Sequence, residues 1–212
     1  MAAEFEACSI VDIGCGTGEL ACRLARLGYD VAGTDPADAS LDIARGKPGA
    51  DKVRWVCADT VAVAPGSADL AVMTGNVAQV FVSDEEWADV LDGVHTALRP
   101  GGHFVFETRV PSRQAWRHWT PELSLARRQV DGVGLVEAWV EVTEVRAPLV
   151  SFRWSFRFLD QDELLTSNST LRFRERPEIE ASLAVAGFHL LEVRDAPDRP
   201  GAEWVFVARR SR

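Results

Sequence analysis

Cys8-Ser9-Ile10-Val11-Asp12-Ile13-Gly14-Cys15-Gly16-Thr17-Gly18-Glu19 is the stretch that decides the fold of this chain. Its first six residues form a short apolar run that stops at three closely spaced glycines, the pattern of a buried strand entering a glycine loop. Glu19 to Leu27 follow, with Leu20, Leu24 and Leu27 on one face and Gly28 closing the segment, which predicts a helix and its stop. Glycines between a strand and a helix permit a tight turn and close approach of a ligand. The first N–H groups of the helix point into the same crevice and favour an anionic or hydrogen-bond-accepting group there.

Outward from this loop the alternation continues. Tyr29 to Gly33 reads as a second strand ending at Thr34-Asp35-Pro36, and Leu41, Ile43 and Ala44 belong to a helix stopped by Gly46. Val53 to Cys57 is a third strand ending at Ala58-Asp59-Thr60, and Asp69 to Met73 a fourth ending at Thr74-Gly75-Asn76. Ser83 and Glu86 have capping-box spacing. Trp87, Val90, Leu91, Val94 and Leu98 then recur at helical intervals, Pro100-Gly101-Gly102 ends the helix, and His103 to Thr108 is a fifth strand. Strands alternating with helices predict βαβ units and a parallel sheet.

After Pro111 the character changes. Residues 112–130 are polar and rich in arginine, with Trp116 and Trp119 among them, and from Gly134 a period of two takes over. Leu135–Val145, Val150–Phe158 and Glu163–Arg174 predict a three-stranded antiparallel meander. The row from Phe152 to Phe158 is expected to be mostly its hidden face. A helix from Pro177 to Ala186 and strands Phe188–Val193 and Glu203–Ala208 then resume the α/β pattern. The expectation is one domain over 1–212, with 112–175 inserted as a β-meander lid on the substrate side.

Composition narrows the function. The 212 residues carry a net charge of −9, which argues against a nucleic-acid backbone as partner. No apolar run reaches the roughly 18 residues of a membrane span, and no export signal opens the chain, so a cytoplasmic protein with no membrane partner is expected. Lys47, Lys52 and Tyr29 are the only residues of their types, leaving little for Schiff-base chemistry or a Tyr-Lys proton pair. Cys8, Cys15, Cys22 and Cys57 form no C-x-x-C pair and have no histidine at ligand spacing, so no metal site is expected.

The third glycine falls one residue too early for G-x-G-x-x-G, where Glu19 stands, and a carboxylate beside a pyrophosphate weighs against NAD. Asp35 ends the second strand, where a carboxylate can accept both hydroxyls of a ribose. Asp59 ends the third, placed to accept from an adenine amino group. At this point the sequence resembles the class I S-adenosylmethionine (SAM) dependent methyltransferases. VDIGCGTGELACRLARLGYDVAGTD is similar to their first motif and acidic second-strand end, VRWVCADT to the segment that meets adenine, ADLAVMTGNVAQVF to the fourth-strand segment, and LRPGGHFVFET to the fifth. LAVAGFHLLEVRDAP and EWVFVARR are similar to the closing helix and hairpin.

The resemblance implies a Rossmann-like α/β fold whose seven strands are ordered 3-2-1-4-5-7-6, with strand 7 antiparallel. It implies SAM as cofactor, S-adenosylhomocysteine as product, and no metal. Asp12, Gly14 and Gly16 would surround the methionine part. Asp35 would hold the ribose and Asp59 the adenine edge, with Ala58 and Thr60 beside it. Thr74 and Gly75 would line the sulfonium side, and Cys15, Gly18 and Pro36 complete the expected cofactor-binding set. Thr74-Gly75-Asn76-Val77 stands where an Asn-Pro-Pro-Tyr-type signature of nucleic-acid amino methylation would be, so a small-molecule acceptor is expected, taken by a monomer or a homodimer. Asn76, Trp116 and Trp119 are candidate acceptor contacts, and His118 is a candidate base. Glu107 is a candidate catalytic residue or acceptor contact, with a structural ion pair to Arg109 as its alternative. His95, His103 and His189 fall in scaffold elements. The glycine loop opens 13 residues into the chain with no helix before it, so a cleft open at its methionine end is expected. A non-catalytic nucleotide- or SAM-binding protein and an NAD(P)-linked oxidoreductase are the competing readings.

Overall fold

β1 (Ser9–Ile13) carries apolar side chains to both of its faces, and both faces are covered. Val11 and Ile13 join one apolar cluster and Ile10 another, which is why the sequence shows a continuous run and not an alternation. The computed structural model describes residues 1–58 and 61–211. The chain separates into two compact units, Met1–Thr108 with Arg176–Arg212, and Arg109–Glu175.

The first unit contains β1, α1 (Glu19–Arg26), β2 (Asp30–Asp35), α2 (Asp38–Arg45), β3 (Val53–Cys57), β4 (Ala68–Met73), α3 (Asp84–Ala97) and β5 (Leu98–Arg109), which passes into the second unit at its last residue. The second unit adds α4 (Pro121–Ser124), β6 (Ala126–Val130), β7 (Gly134–Arg146), β8 (Leu149–Phe158) and β9 (Glu163–Arg172). α5 (Arg176–Val185), β10 (Phe188–Asp195) and β11 (Glu203–Arg210) return to the first unit. Its seven-stranded sheet has the order β3-β2-β1-β4-β5-β11-β10. Strands β1 to β5 are parallel, and β10 and β11 pair antiparallel. This is the expected order, with β10 and β11 as the sixth and seventh strands.

Trp87, Leu91 and Val94 of α3 and Ile179 and Leu183 of α5 pack on one face of this sheet around Phe104, Phe106 and Phe206. Phe106 stacks at 4.7 Å on Phe104 and 5.0 Å on Phe206, and meets Trp87 edge-on at 5.6 Å. The predicted capping box starts α3: Ser83 Oγ accepts from the Glu86 N–H at 3.0 Å, and Glu86 Oε2 accepts from the Ser83 N–H at 2.9 Å. Such a cap contributes about 1 kcal/mol.

β5 begins at Leu98, five residues before the predicted start. A register shift between Ala68↔Leu98 and Leu70↔His103 takes up Pro100-Gly101-Gly102. The register sets the functional edge. Ile13 pairs with Thr34, Asp35 with Cys57, and Met73 with Phe106, so Gly14, Asp35, Ala58, Thr74 and Glu107 all emerge at the carboxyl ends of neighbouring strands.

The second unit is a four-stranded antiparallel sheet, β6-β7-β8-β9, and not the predicted three-stranded meander. β6, Ala126-Arg127-Arg128-Gln129-Val130, is an edge strand exposed along its whole length, so it carries no apolar alternation that a sequence could announce. Of the aromatic row, Phe152 is buried, Phe158 is half-buried, and Trp154 and Phe156 are exposed. The expectation of a mostly hidden face is met only at its first residue.

Candidate active site

The glycine loop is fixed by its first residues. The Thr34 carbonyl accepts from the N–H groups of Gly14 at 2.8 Å and Cys15 at 3.0 Å, locking the loop to the end of β2. Gly14, Gly16 and Gly18 have φ of 65°, 52° and 76°, a region that costs an L-residue about 1–2 kcal/mol. Packing separates the three. A Cβ on Gly14 would stand 2.6 Å from Val77 Cγ1, and one on Gly18 2.5 Å from the Trp55 ring. Around Gly16 there is open space.

Asp35 ties the loop to the second strand. Its Oδ2 accepts from the Gly16 N–H at 2.8 Å and its Oδ1 from the Ala37 N–H at 2.9 Å. Each carboxylate oxygen keeps lone-pair capacity beyond these bonds, so both can still accept a ligand hydroxyl. Beside it lies a cavity of about 340 Å³, within the usual range of small-ligand sites. Ile13, Gly14 and Thr34 form one wall, and Asp35, Pro36 and Ala58 line the strand-end side. Val77, Val80, Phe81 and Val90 also line it. The cavity thus offers an apolar slot with one carboxylate beside it.

Asp12 is 2% exposed beneath the loop. Burial pushes its carboxyl up to about 7, and the Asp35 charge pushes the same way against a hydrogen bond from the Ala21 backbone. Burial, with Asp12 and Asp35 nearby, holds the Cys15 thiol up at about 12, so it stays protonated and is no nucleophile.

Thr74 and Gly75 are exposed at the end of β4. Glu107, one residue beyond the Met73↔Phe106 pair, accepts the Gly75 N–H at 2.8 Å through Oε1. Asn76 is 3% exposed, and its Nδ2 donates to Glu203 Oε1 at 2.9 Å. The structure therefore brings Gly14, Asp35, Pro36 and Ala58 around one cavity, while Asp12, buried two residues before Gly14, is not among the residues that line it. Asp59 and Thr60 lie outside the described residues.

The other candidates belong to the second unit. His118 is exposed in a short 3-10 turn, Ala115–His118. Trp116 meets Phe173 edge-on at 4.5 Å and Trp119 meets Phe152 at 4.9 Å, so both rings help build that unit's own apolar core. The Arg109 guanidinium lies 5.4 Å from the Trp119 ring centre. His103 stacks on Phe5 and His95 lies edge-on to Phe188, the scaffold roles expected for them. Sequence reasoning missed Val77, Val80 and Phe81 as cavity walls. Their signal was an apolar row straight after a strand end, in Asn76-Val77-Ala78-Gln79-Val80-Phe81.

Comparison with known proteins agrees with this fold. The family model for a methyltransferase domain matches residues 10–102. Malonyl-[acyl-carrier protein] O-methyltransferase of Serratia marcescens is 27% identical over 187 residues, 88% of this chain and 66% of that protein. A ubiquinone biosynthesis O-methyltransferase of Acinetobacter baylyi is 31% identical over 103 residues, 47% of this chain and 42% of that protein. The chain thus spans less than two thirds of the curated relatives it matches. Among solved structures, a SAM-dependent methyltransferase from Clostridium acetobutylicum superposes with a TM-score of 0.76 at 18% identity, over 100% of this chain and 88% of the other. A SAM-bound amino pentose methyltransferase from Micromonospora echinaspora does so with 0.72 at 22%, over 99% and 86%. With its strand order, glycine loop and acidic second-strand end, the chain has the fold of the SAM-dependent methyltransferases, and its residues 10–102 match the methyltransferase domain model.

Proposed function

We propose that the chain transfers the methyl group of SAM to a small-molecule acceptor. The observation that carries this reading is the Asp35 carboxylate. It is fixed by the Gly16 and Ala37 N–H groups beside an apolar cavity, an acceptor and an apolar lining that suit a ribose next to a flat base. SAM supplies a methyl made electrophilic by a sulfonium, whose positive charge disappears as the methyl leaves.

The residues of the chain have simpler work. Asp35 would accept the two ribose hydroxyls, and Pro36, Ala58, Val77, Val80 and Phe81 would exclude water around the base. Asp12 and the N–H groups of the glycine loop would hold the methionine end. In-line transfer asks the protein chiefly to hold the acceptor within about 3–3.5 Å of the methyl and to keep water out. Where the acceptor must lose a proton, Glu107 and His118 are the bases this reading offers. The unit Arg109–Glu175, outside the family match, would carry acceptor selectivity.

The test is a thermal-shift comparison of SAM, S-adenosylhomocysteine, NAD(H) and NADP(H), followed by methyl transfer from labelled SAM to a panel of small acceptors. Ligand at 100 times its dissociation constant adds about 2.7 kcal/mol, roughly 5–10 °C at this size. A shift with the first two alone, followed by turnover, supports the reading. A shift with NAD(H) alone overturns it. Binding of SAM with no turnover across the panel leaves a binding protein.

A further inference from the structure

Asn76 is held in a conformation that its own side chain does not explain. Its φ is 62° and ψ 28°, left-handed, and it is 3% exposed. Among the described residues its Oδ1 has no hydrogen-bond partner. A buried unpaired acceptor is costly, and a left-handed turn whose side chain makes no local bond of its own is held by its surroundings. The constraint comes from a strand 127 residues away in sequence: Glu203, also 3% exposed, accepts from Asn76 Nδ2 at 2.9 Å. The same Oε1 also accepts from Arg199 Nη1, so the amide NH2 of Asn76 and the guanidinium meet on one carboxylate oxygen. The next residue is Val77, whose methyl groups fill the space a side chain on Gly14 would need, and which lines the cavity.

We infer that Glu203 is a positioning residue. With Arg199 it anchors the Asn76 turn, so the closing β10–β11 hairpin sets where Val77 stands against the glycine loop and thereby the width of the cofactor cavity. The link runs from Arg199 to Glu203, to Asn76, to Val77 and to Gly14, entirely within the first unit. Its ligand readout rests on the cavity being a SAM site, but its structural readout does not.

Two assays on the whole chain therefore test it together: hydrogen exchange of residues 74–80 without ligand, and SAM affinity by calorimetry. Glu203→Ala should speed exchange in that segment at least tenfold, as expected when a local anchor is lost, and weaken SAM about tenfold. Asn76→Gly in the same background should recover most of the affinity, because glycine adopts the turn freely and brings no amide that needs a partner. Glu203→Gln, which still accepts from Asn76, should keep the segment near its original exchange. If Glu203→Ala does not fold, Arg199→Ala goes through the same assays, with its side chain 51% exposed. Unchanged exchange over 74–80 in the folded variant, or losses that simply add in the double variant, overturns the inference. Altered exchange in a protein that binds no SAM at all would overturn the proposed function instead and leave this link standing.

Discussion

The two sheets of this chain bury their strands in different ways. In the first unit β1, β2 and β4 have apolar neighbours on both faces, so their sequences are short unbroken runs such as Ile10-Val11 and Leu70-Ala71-Val72-Met73. In the second, β7, β8 and β9 share a core only where Val140, Val150, Phe152, Leu171 and Phe173 meet, while Trp154, Phe156, Leu164 and Leu165 stay exposed. The first sheet is specified by burial along its central strands. The second is specified by burial at one patch and elsewhere by backbone pairing and cross-strand side-chain bonds such as Arg127–Glu137, Ser151–Thr170 and Arg153–Asn168, and that contrast sets how hard each is to disturb.

The largest effect is expected at the centre of the first sheet. Phe106, 1% exposed and touching three aromatic rings, should lose about 3–5 kcal/mol of stability on replacement by alanine. Denaturant unfolding measures it, and a loss below 1 kcal/mol would show that the site repacks. Trp119→Ala removes the ring that joins Phe152, Phe173 and Arg109, and should cost about 2–4 kcal/mol. SAM affinity should stay within about 1 kcal/mol of wild type. A SAM affinity lost along with the fold would mean that the two units do not divide the work as described.

These contrasts explain what could be read in advance. The five-strand α/β pattern, the capping box at Ser83 and the loop from Gly14 to Gly18 were legible because each depends on local chemistry or on runs buried on two faces. β6 was not, since an exposed edge strand of Arg127, Arg128 and Gln129 carries no burial signal. The start of β5 was misjudged because pairing with Ala68 carries Leu98 into the sheet ahead of the glycines. Of the cavity, Asp35 was legible from its strand-end position, and Pro36 and Ala58 from the family resemblance. Val77, Val80 and Phe81 were not, because one apolar row suits core and cavity equally. The Asn76–Glu203 bond joins residues 127 positions apart, which no local pattern encodes.

The next effect is pH-dependent. Asp12 titrates near 7 in the folded chain against 3.8 for an ordinary aspartate, because it is buried. The folded state thus holds an extra proton between about pH 4 and 7, and that stabilisation is lost as pH rises through 7. Asp12→Asn cannot take part, so its melting temperature should gain on the wild type by a few degrees from pH 5 to 8. Parallel curves would show that Asp12 titrates normally. The smallest effect is expected at the exposed end of the second sheet. Trp154→Ser, at a position 37% exposed, should change stability by no more than about 0.5 kcal/mol. A larger loss would mean that this face is covered in solution.

The central claim is that Asp35, braced by the glycine loop, holds the cofactor, and calorimetric titration of SAM into wild type, Asp35→Asn and Asp35→Ala tests it most directly. The account predicts a saturable SAM site in the wild type. It predicts a loss of about 1.5–3 kcal/mol in Asp35→Ala, where two backbone partners and the charge disappear together, and a smaller loss in Asp35→Asn. Equal affinities in all three folded proteins would contradict it.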